Sequence, residues 1–279
     1  MRRNNEDRMM GGHKPNPSED APQMANPLDF ITPTEFVVLP SKGRYPPNHP
    51  MADKEEIEIR FMTAKDEDIL TSKALLKQGV AIERLIQNLI VDKNIKAKDL
   101  YIGDRNAIII HARASAYGSI YKTKVTCPAC SEVSGHRFDL SEYHSYDGMD
   151  WEGFEIEATD HGTFKITLPL TDIVAEIRPL LGSDEAGMIQ EMKKDKKGEK
   201  GLVTSQLKKF CVSFNGYRER ATINKVVDHL TAGDSRYLRG AFAAISPDLS
   251  VKGNFECNSC SHEEEMTVPF GADFFWPDR

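Results

Sequence analysis

Two C-x-x-C pairs, separated by 130 residues, restrict the fold of this chain more than any other feature. Cys127 and Cys130 lie in KVTCPACSEVSGHRFDL, and Cys257 and Cys260 lie in NFECNSCSHEEEMTVPF. A C-x-x-C turn presents two sulfurs to one ion, whereas a structural Zn²⁺ site needs four ligands. We therefore expect the two pairs to meet in space and to hold one structural Zn²⁺ through four thiolates.

The residues around the two pairs match at the same offset. Each pair has an apolar residue two positions before its first cysteine and an alternating apolar pattern after its second. The matching residues are Val125 with Phe255, Phe138 with Val268, and Leu140 with Phe270. This pattern predicts two β-hairpins with thiol-bearing turns, which form a zinc ribbon split by residues 131–256. In such sites the two pairs are usually separated by about 15–20 residues, far fewer than the residues 131–256 that separate them here. Two alternatives therefore stay open: two unrelated buried pairs, or a disulfide formed after release from the cell.

Four cysteines would close the site, leaving no ligand position for water and no metal catalysis. His136 and His262 lie near the pairs and are interpreted as surface residues or as neighbours of the ligands. Cys211 lies on an apolar face in LKKFCVSF and is interpreted as a small core residue.

The rest of the chain alternates between helical and strand patterns. Glu55–Phe61 alternates as a strand, Thr63 is expected to start a helical region, and Gly79 interrupts it before a second amphipathic helix from Val80 to Ile90. Asp104 is a candidate cap for a helix that ends near Gly118, although the isoleucines within it would also suit a strand.

Further along, residues 154–158 and 164–168 indicate a hairpin, and residues 171–246 suggest helices, among them Ile173–Leu181 and Val203–Phe214. The lysine-rich run Lys193–Gly201 is interpreted as a solvated loop, with a nucleic-acid patch as the alternative. The predicted fold class is α+β, with helical bundle regions and the split zinc-ribbon-like module. The predicted segments are a flexible tail at 1–28, an extended arm and helical region at 29–120, the first knuckle and hairpin at 121–170, a helical insert at 171–250, and the second knuckle and aromatic terminus at 251–279.

Two stretches are candidate contacts with partner proteins. The proline-rich segment Phe36–Met51 is expected to be extended, with backbone free to lie along a neighbour. The C-terminal aromatic cluster would suit either core packing or an anchor in a partner's pocket. The candidate contact residues are Phe36, Pro40, Pro46, Pro47, Phe274, Phe275 and Trp276.

Composition disfavours several function classes. The net charge of −7 and the mixture of basic and acidic residues around the pairs argue against nucleic-acid binding. The apolar runs are too short to cross a membrane, and the first twenty residues lack the apolar core of a signal peptide. No dinucleotide, P-loop, nucleophile-elbow or H-E-x-x-H motif is found, so we expect an interaction protein and not an enzyme.

Several segments together form a recognisable pattern. They are FVVLPSKGRYPPNHP with EIEIRFMTAKDEDILTSKALLKQGVAIERLIQNLI, the run from Asp104 through Ala116-Tyr117-Gly118 to Cys130, and FECNSC with VPFGADFFWP near the end. This pattern resembles the baseplate hub family of T-even-type contractile-tailed bacteriophages. The resemblance extends from about Phe36 to Pro277. LPSKG and MTAKDEDILTS are its most specific parts.

The resemblance implies a structural or assembly protein of the tail baseplate that acts by contacts. Its partners would be other baseplate and tail proteins, with a second copy of the chain as a further candidate. It would be found in the virion tail after assembly in the host cytoplasm. An assembly chaperone that leaves before the particle is complete is the alternative, and a zinc-ribbon nucleic-acid-binding protein is a weaker one.

Overall fold

The computed structural model describes residues 32–194, 201–268, 270 and 272–275, and within these ranges it is a mixture of helices and strands. The strands are β1 (Thr34–Val38), β2 (Glu56–Arg60), β3 (Ile120–Thr126), β4 (Val133–Asp139), β5 (Tyr143–Tyr146), β6 (Ile156–Ala158), β7 (Phe164–Thr167), β8 (Val174–Ile177), β9 (Cys211–Phe214), β10 (Asp248–Glu256) and β11 (Glu263–Thr267). The helices are α1 (Ala64–Thr71), α2 (Lys73–Gln78), α3 (Ala81–Leu89), α4 (Ile102–Tyr117), α5 (Gly182–Lys194), α6 (Leu202–Phe210), α7 (Arg220–His229) and α8 (Ala232–Ile245). Short 3₁₀ turns occur at Ala97–Asp99 and Ala272–Phe275. The α+β class is confirmed.

The strands form small antiparallel sheets. β1 pairs with β2, β3 pairs with β4, β10 lies between β11 and β5, and a four-stranded sheet has the order β6-β7-β8-β9. Antiparallel neighbours can be joined by short turns. The hairpin expected between residues 154 and 168 is confirmed as β6 and β7.

Local sequence rules explain the first helices. Thr63 and Asp66 form a capping box at the start of α1, in which the Asp66 carboxylate accepts the Thr63 backbone N–H at 2.9 Å. Gly79 ends α2 in the left-handed conformation with φ 77°, where a residue without Cβ is favoured. The amphipathic helix after Gly79 is confirmed as α3, whose Leu85, Ile86 and Leu89 are fully buried.

The stretch around the isoleucines is a helix, but Asp104 does not cap it. α4 begins at Ile102 after Tyr101, so Asp104 lies inside the first turn and is fully buried. Its carboxylate accepts hydrogen bonds from the Ser41 backbone N–H at 3.0 Å and from the Tyr45 hydroxyl at 2.7 Å. Asp104 therefore connects α4 to the segment after β1, a long-range role that a local capping rule cannot detect.

Two stretches expected to be helical contain strands. Ile173–Leu181 includes β8, and Val203–Phe214 divides into α6 and β9. β8 lies between β7 and β9, and Ala175, Glu176 and Ile177 in succession are buried. A strand covered on both faces loses the alternation that identifies strands in sequence. The segment 171–250 is therefore not purely helical, and the predicted segment boundaries stay predictions.

Buried side chains form two large clusters. The first collects residues from β1, β2, α3, α4, β10 and the C-terminal aromatic residues. The second lies between the β6–β9 sheet and helices α6, α7 and α8, with Phe210 and Phe242 stacked at 4.3 Å between ring centroids. Among the described residues, no helix is both long and apolar enough for a membrane span. The tail at 1–28 and most of the run Lys193–Gly201 lie outside the described residues.

Candidate metal centre

The first C-x-x-C pair lies in the turn between β3 and β4, as expected. The hairpin keeps a regular register from Ile120 opposite Asp139 to Thr126 opposite Val133. The turn is closed by two backbone hydrogen bonds. Cys127 N–H donates to the Glu132 carbonyl at 2.8 Å, and Ser131 N–H donates to the Cys127 carbonyl at 2.9 Å.

The second pair lies in the turn between β10 and β11 and repeats this geometry. Cys257 N–H donates to the His262 carbonyl at 2.9 Å, and Ser261 N–H donates to the Cys257 carbonyl at 2.9 Å. Ser131 and Ser261 both have left-handed backbone, with φ of 60° and 54°. The two hairpins are therefore the same local structure at an offset of 130 residues, and the match of flanking residues reflects a match of backbone.

The four sulfurs of the two hairpins meet in one group. All four Sγ atoms lie within 4.8 Å of one another, with Cys127 to Cys260 at 3.7 Å and Cys130 to Cys257 at 3.6 Å. A tetrahedral ion with Zn–S bonds of about 2.3 Å separates its sulfurs by about 3.8 Å. These distances are also far longer than a disulfide bond, which is about 2.05 Å. The donor set and spacing fit a tetrahedral thiolate-bound metal ion.

One side of the site is apolar and the other faces solvent. Cys127 and Cys257 are buried and pack with Phe255, while Cys130 and Cys260 are exposed. Hydrogen bonds from the backbone N–H groups of Ser259 and Cys260 lower the pKa of Cys257 to about 7. These amides favour the thiolate form, which is the form that binds metal.

The neighbouring histidines do not join the group. His262 lies near Glu264, with Nε2 to Oε2 at 3.5 Å, and the His136 ring packs edge-on against Phe138 at 4.6 Å between centroids. Cys211 is buried at the start of β9, where burial raises its pKa to about 12. Its interpretation as a core residue is confirmed. A metal ion held by this group would have four sulfur ligands.

Sequence reasoning missed two features that shape this site. The left-handed Ser131 and Ser261 were detectable, because both follow their pairs at the same offset. The need for glycine at position 253 in β10 was not detectable, because it comes from a residue that is distant in sequence. A Cβ on Gly253 would lie 2.7 Å from a ring carbon of Phe138, so glycine lets β10 approach the first hairpin closely.

The candidate partner residues in the N-terminal segment fall into different environments. Phe36 is 60% exposed on the outer face of β1, and Pro47 is exposed. Pro40 is buried and Pro46 is half-buried, with its ring near the Gly162 turn. The prediction that Pro40 offers a contact surface is wrong, because its ring lies inside the protein.

The expected free arm is instead a folded loop. Residues 39–54 make successive turns between β1 and β2, and Tyr45 stacks on Tyr101 at 4.1 Å between ring centroids. Leu39 and Met51 are among the fully buried side chains. The prolines shape turns that fold back on the core, so the backbone of this segment is not free to lie along a neighbour.

The C-terminal aromatic residues pack into the protein. Phe274 and Phe275 are 1% and 2% exposed, and Phe274 packs against Tyr121 with ring centroids 4.9 Å apart. Of the two interpretations, core packing holds for these two residues, because neither presents a side chain to a partner. Trp276 lies outside the described residues.

The comparisons with known proteins identify the family. The family described as "T4 bacteriophage base plate protein" matches residues 33–276, which include both hairpins and the loop after β1. Neither a curated protein nor a solved structure matches the chain. The family match covers far more than half of the sequence and agrees with the resemblance in LPSKG and MTAKDEDILTS. The chain therefore belongs to the T4-type phage baseplate protein family.

Proposed function

We propose that this chain is a structural subunit of the inner baseplate or hub of a contractile phage tail, and that its four cysteines bind Zn²⁺. The cysteine group carries the proposal. It joins two hairpins that are distant in sequence and offers no open ligand position, so it serves cohesion and not catalysis. A subunit of this kind acts through contacts with other baseplate and tail proteins, within the virion tail after assembly in the host cytoplasm.

Bound zinc would act here as a cross-link. Cys127, Cys130, Cys257 and Cys260 would hold it, and the ion would connect the middle of the chain to its end. Small β-hairpins cannot bury much apolar surface, and a structural metal supplies folding free energy directly. The cluster of Cys127, Cys257 and Phe255 is correspondingly small. A baseplate must withstand tension during contraction, and such a cross-link resists separation of the two hairpins.

The outer face of the β1–β2 hairpin is the best-supported contact surface among the candidate residues. Phe36 and Val38 are each 60% exposed there, while Val37 between them is buried. Their cross-strand partners are Glu58 and Glu56. Exposed aromatic residues are enriched at protein interfaces, and the neighbouring carboxylates would favour a partner surface that carries basic residues.

Quantitative mass spectrometry of purified intact tails tests the proposed function. The copy number of this chain is measured against a ring protein of known symmetry. A fixed number of copies per tail supports a structural subunit and gives its symmetry. Absence from mature tails, together with presence in lysates of infected cells, would refute it and favour an assembly chaperone.

A further inference from the structure

A groove lies along α8 and is lined by none of the candidate residues discussed above. It has a volume of about 810 Å³, within the range of ligand-binding clefts. It is lined by Gly153, Phe154, Pro169, Leu170, Gly233, Arg236, Tyr237, Arg239 and Gly240. The lining is mostly apolar, with two arginines and, among the described residues, no carboxylate.

Two glycines expose the α8 backbone to the groove walls. Gly233 and Gly240 are two helical turns apart and therefore lie on nearly the same face of α8. A Cβ on Gly233 would lie 2.5 Å from Leu170 Cδ1, and a Cβ on Gly240 would lie 2.7 Å from Phe154 Cζ. The absence of side chains at these positions lets Leu170 and Phe154 rest directly on the helix.

The Leu170 wall is held in place by hydrogen bonds to a buried carboxylate. Asp234 is fully buried, and its carboxylate accepts the Leu170 backbone N–H at 3.0 Å and the Thr171 hydroxyl at 2.9 Å. The Asp234 backbone N–H donates in turn to the Thr231 hydroxyl that caps α8. Leu170 is nevertheless 66% exposed. An apolar side chain fixed in an exposed position forms a preorganised contact for another molecule.

The opposite wall is aromatic and equally supported. The Phe154 and Tyr237 rings pack at 5.2 Å between centroids. The Tyr237 hydroxyl accepts the Glu155 backbone N–H at 3.3 Å, which ties the loop before β6 to α8. The groove therefore has two fixed apolar walls on a bare helix face.

The charge of the groove is opposite to that of the chain as a whole. The chain has a net charge of −7, whereas the groove is lined by the exposed Arg236 and Arg239. Arg239 Nε donates to the Ser235 carbonyl, and neither arginine forms an ion pair with a carboxylate in the described ranges. Two guanidinium groups beside an apolar channel complement an apolar side chain that has carboxylates next to it.

We infer that this groove binds a peptide segment of another tail protein in which one or two large apolar side chains are flanked by Asp or Glu. The apolar side chains lie between Leu170 and Phe154, and the flanking carboxylates pair with Arg236 and Arg239. This inference rests on the proposed structural function, since it names a class of partner for the same subunit. The groove is then a second contact surface, and it favours an acidic partner segment, whereas the β1–β2 face favours a basic one.

A peptide array tests the inference. Overlapping peptides of about 15 residues, covering the tail proteins of the phage that encodes this chain, are probed with the purified zinc-loaded protein. Dissociation constants of the bound peptides are then measured by fluorescence polarisation. We expect the bound peptides to share apolar residues with acidic neighbours, and we expect R236E/R239E and Leu170→Ser each to weaken their binding about tenfold or more.

The matched control is K65E/K73E, which makes the same change in net charge at exposed lysines of α1 and α2, outside the groove. It should bind the peptides as the unaltered protein does, and thermal unfolding should be unchanged in every variant. Binding that the groove variants do not weaken, or bound peptides of basic character, would overturn the inference. If no tail peptide binds while tails contain a fixed number of copies, the groove inference fails and the proposed function stands.

Discussion

Replacing Cys130 by Ser isolates the contribution of the metal to stability. Cys130 is exposed, so the change creates no buried cavity and removes one ligand of the four. A metal ion that bridges Cys127 and Cys260 would close a loop of 133 residues. For a covalent cross-link of this length, the chain-entropy relation gives about 5 kcal/mol of stabilisation. Coordination bonds exchange and therefore constrain the unfolded chain less than a covalent bond, so we expect a loss of about 3–5 kcal/mol.

Two assays read the same variant. Zinc per chain is measured by inductively coupled plasma mass spectrometry after dialysis, and the free energy of unfolding is measured by urea titration. We expect one zinc per chain in the unaltered protein, little in Cys130→Ser, and a midpoint shifted to lower urea. Chelation of the unaltered protein should reproduce the shift, because apo protein and variant lack the same cross-link.

Cys211→Ala is the control for the loss of a thiol. Cys211 is buried in β9, outside the sulfur group, so its replacement should leave the zinc content at one per chain. Full zinc occupancy in Cys130→Ser would refute the four-thiolate site. Loss of zinc without any change in unfolding free energy would refute the argument that the metal acts as a cross-link.

Three further predictions follow from named contacts. Burial raises the pKa of Asp66, but hydrogen bonds from Arg60, Thr63 and Asn88 outweigh it and lower the pKa to about 2. The resulting stabilisation of about 2 kcal/mol is complete above about pH 4 and is lost as the pH falls towards 2. Asp66→Asn should therefore remove this part of the pH dependence of the free energy of unfolding, measured by urea titration at several pH values. Gly103→Ala should destabilise the protein by about 3 kcal/mol or more, because a Cβ would overlap the Pro247 carbonyl and lie 2.7 Å from Asp248 Cα. F36S/V38S should fold normally, since both side chains are 60% exposed, but should reduce incorporation into tails in a complementation assay.

Each of these predictions has its own check. A pH profile of Asp66→Asn parallel to that of the unaltered protein between pH 4 and 2 would contradict the assigned pKa. Gly135→Ala is the control for Gly103, because a Cβ on Gly135 meets nothing within 4 Å. Normal tail incorporation of F36S/V38S would exclude the outer face of β1–β2 as a contact surface.

Local patterns were sufficient where the structure depends on neighbours in sequence. The capping box at Thr63, the left-handed Gly79 and both C-x-x-C turns are each built from residues within a few positions. The matching residues that flank the two turns also indicated that the turns would meet, because one C-x-x-C pair supplies only two of the four ligands of a tetrahedral site. The sulfur group, with distances of 3.7 and 3.6 Å between the two hairpins, agrees with that reasoning.

Long-range burial decided the elements that the patterns described wrongly. Glu176 gave no sign of a strand in the sequence. In β8 it is buried, and its carboxylate accepts hydrogen bonds from the Arg218 guanidinium and the Ser213 hydroxyl, both distant in sequence. Asp104 had the features of a helix cap, but its carboxylate instead accepts hydrogen bonds from the Ser41 backbone N–H and the Tyr45 hydroxyl. In both cases a buried carboxylate needs several donors, and those donors come from other segments of the chain.

The sequence by itself determined the thiol-bearing hairpins, the first helices and the α+β class, because these follow from spacing and from local hydrogen bonds. Only the tertiary structure decided that the proline-rich segment folds onto the core, that Phe274 and Phe275 lie inside it, and that a groove with two arginines runs along α8. The physical reason is that burial is a property of the whole chain. A side chain's sequence neighbours do not reveal which distant surface will cover it.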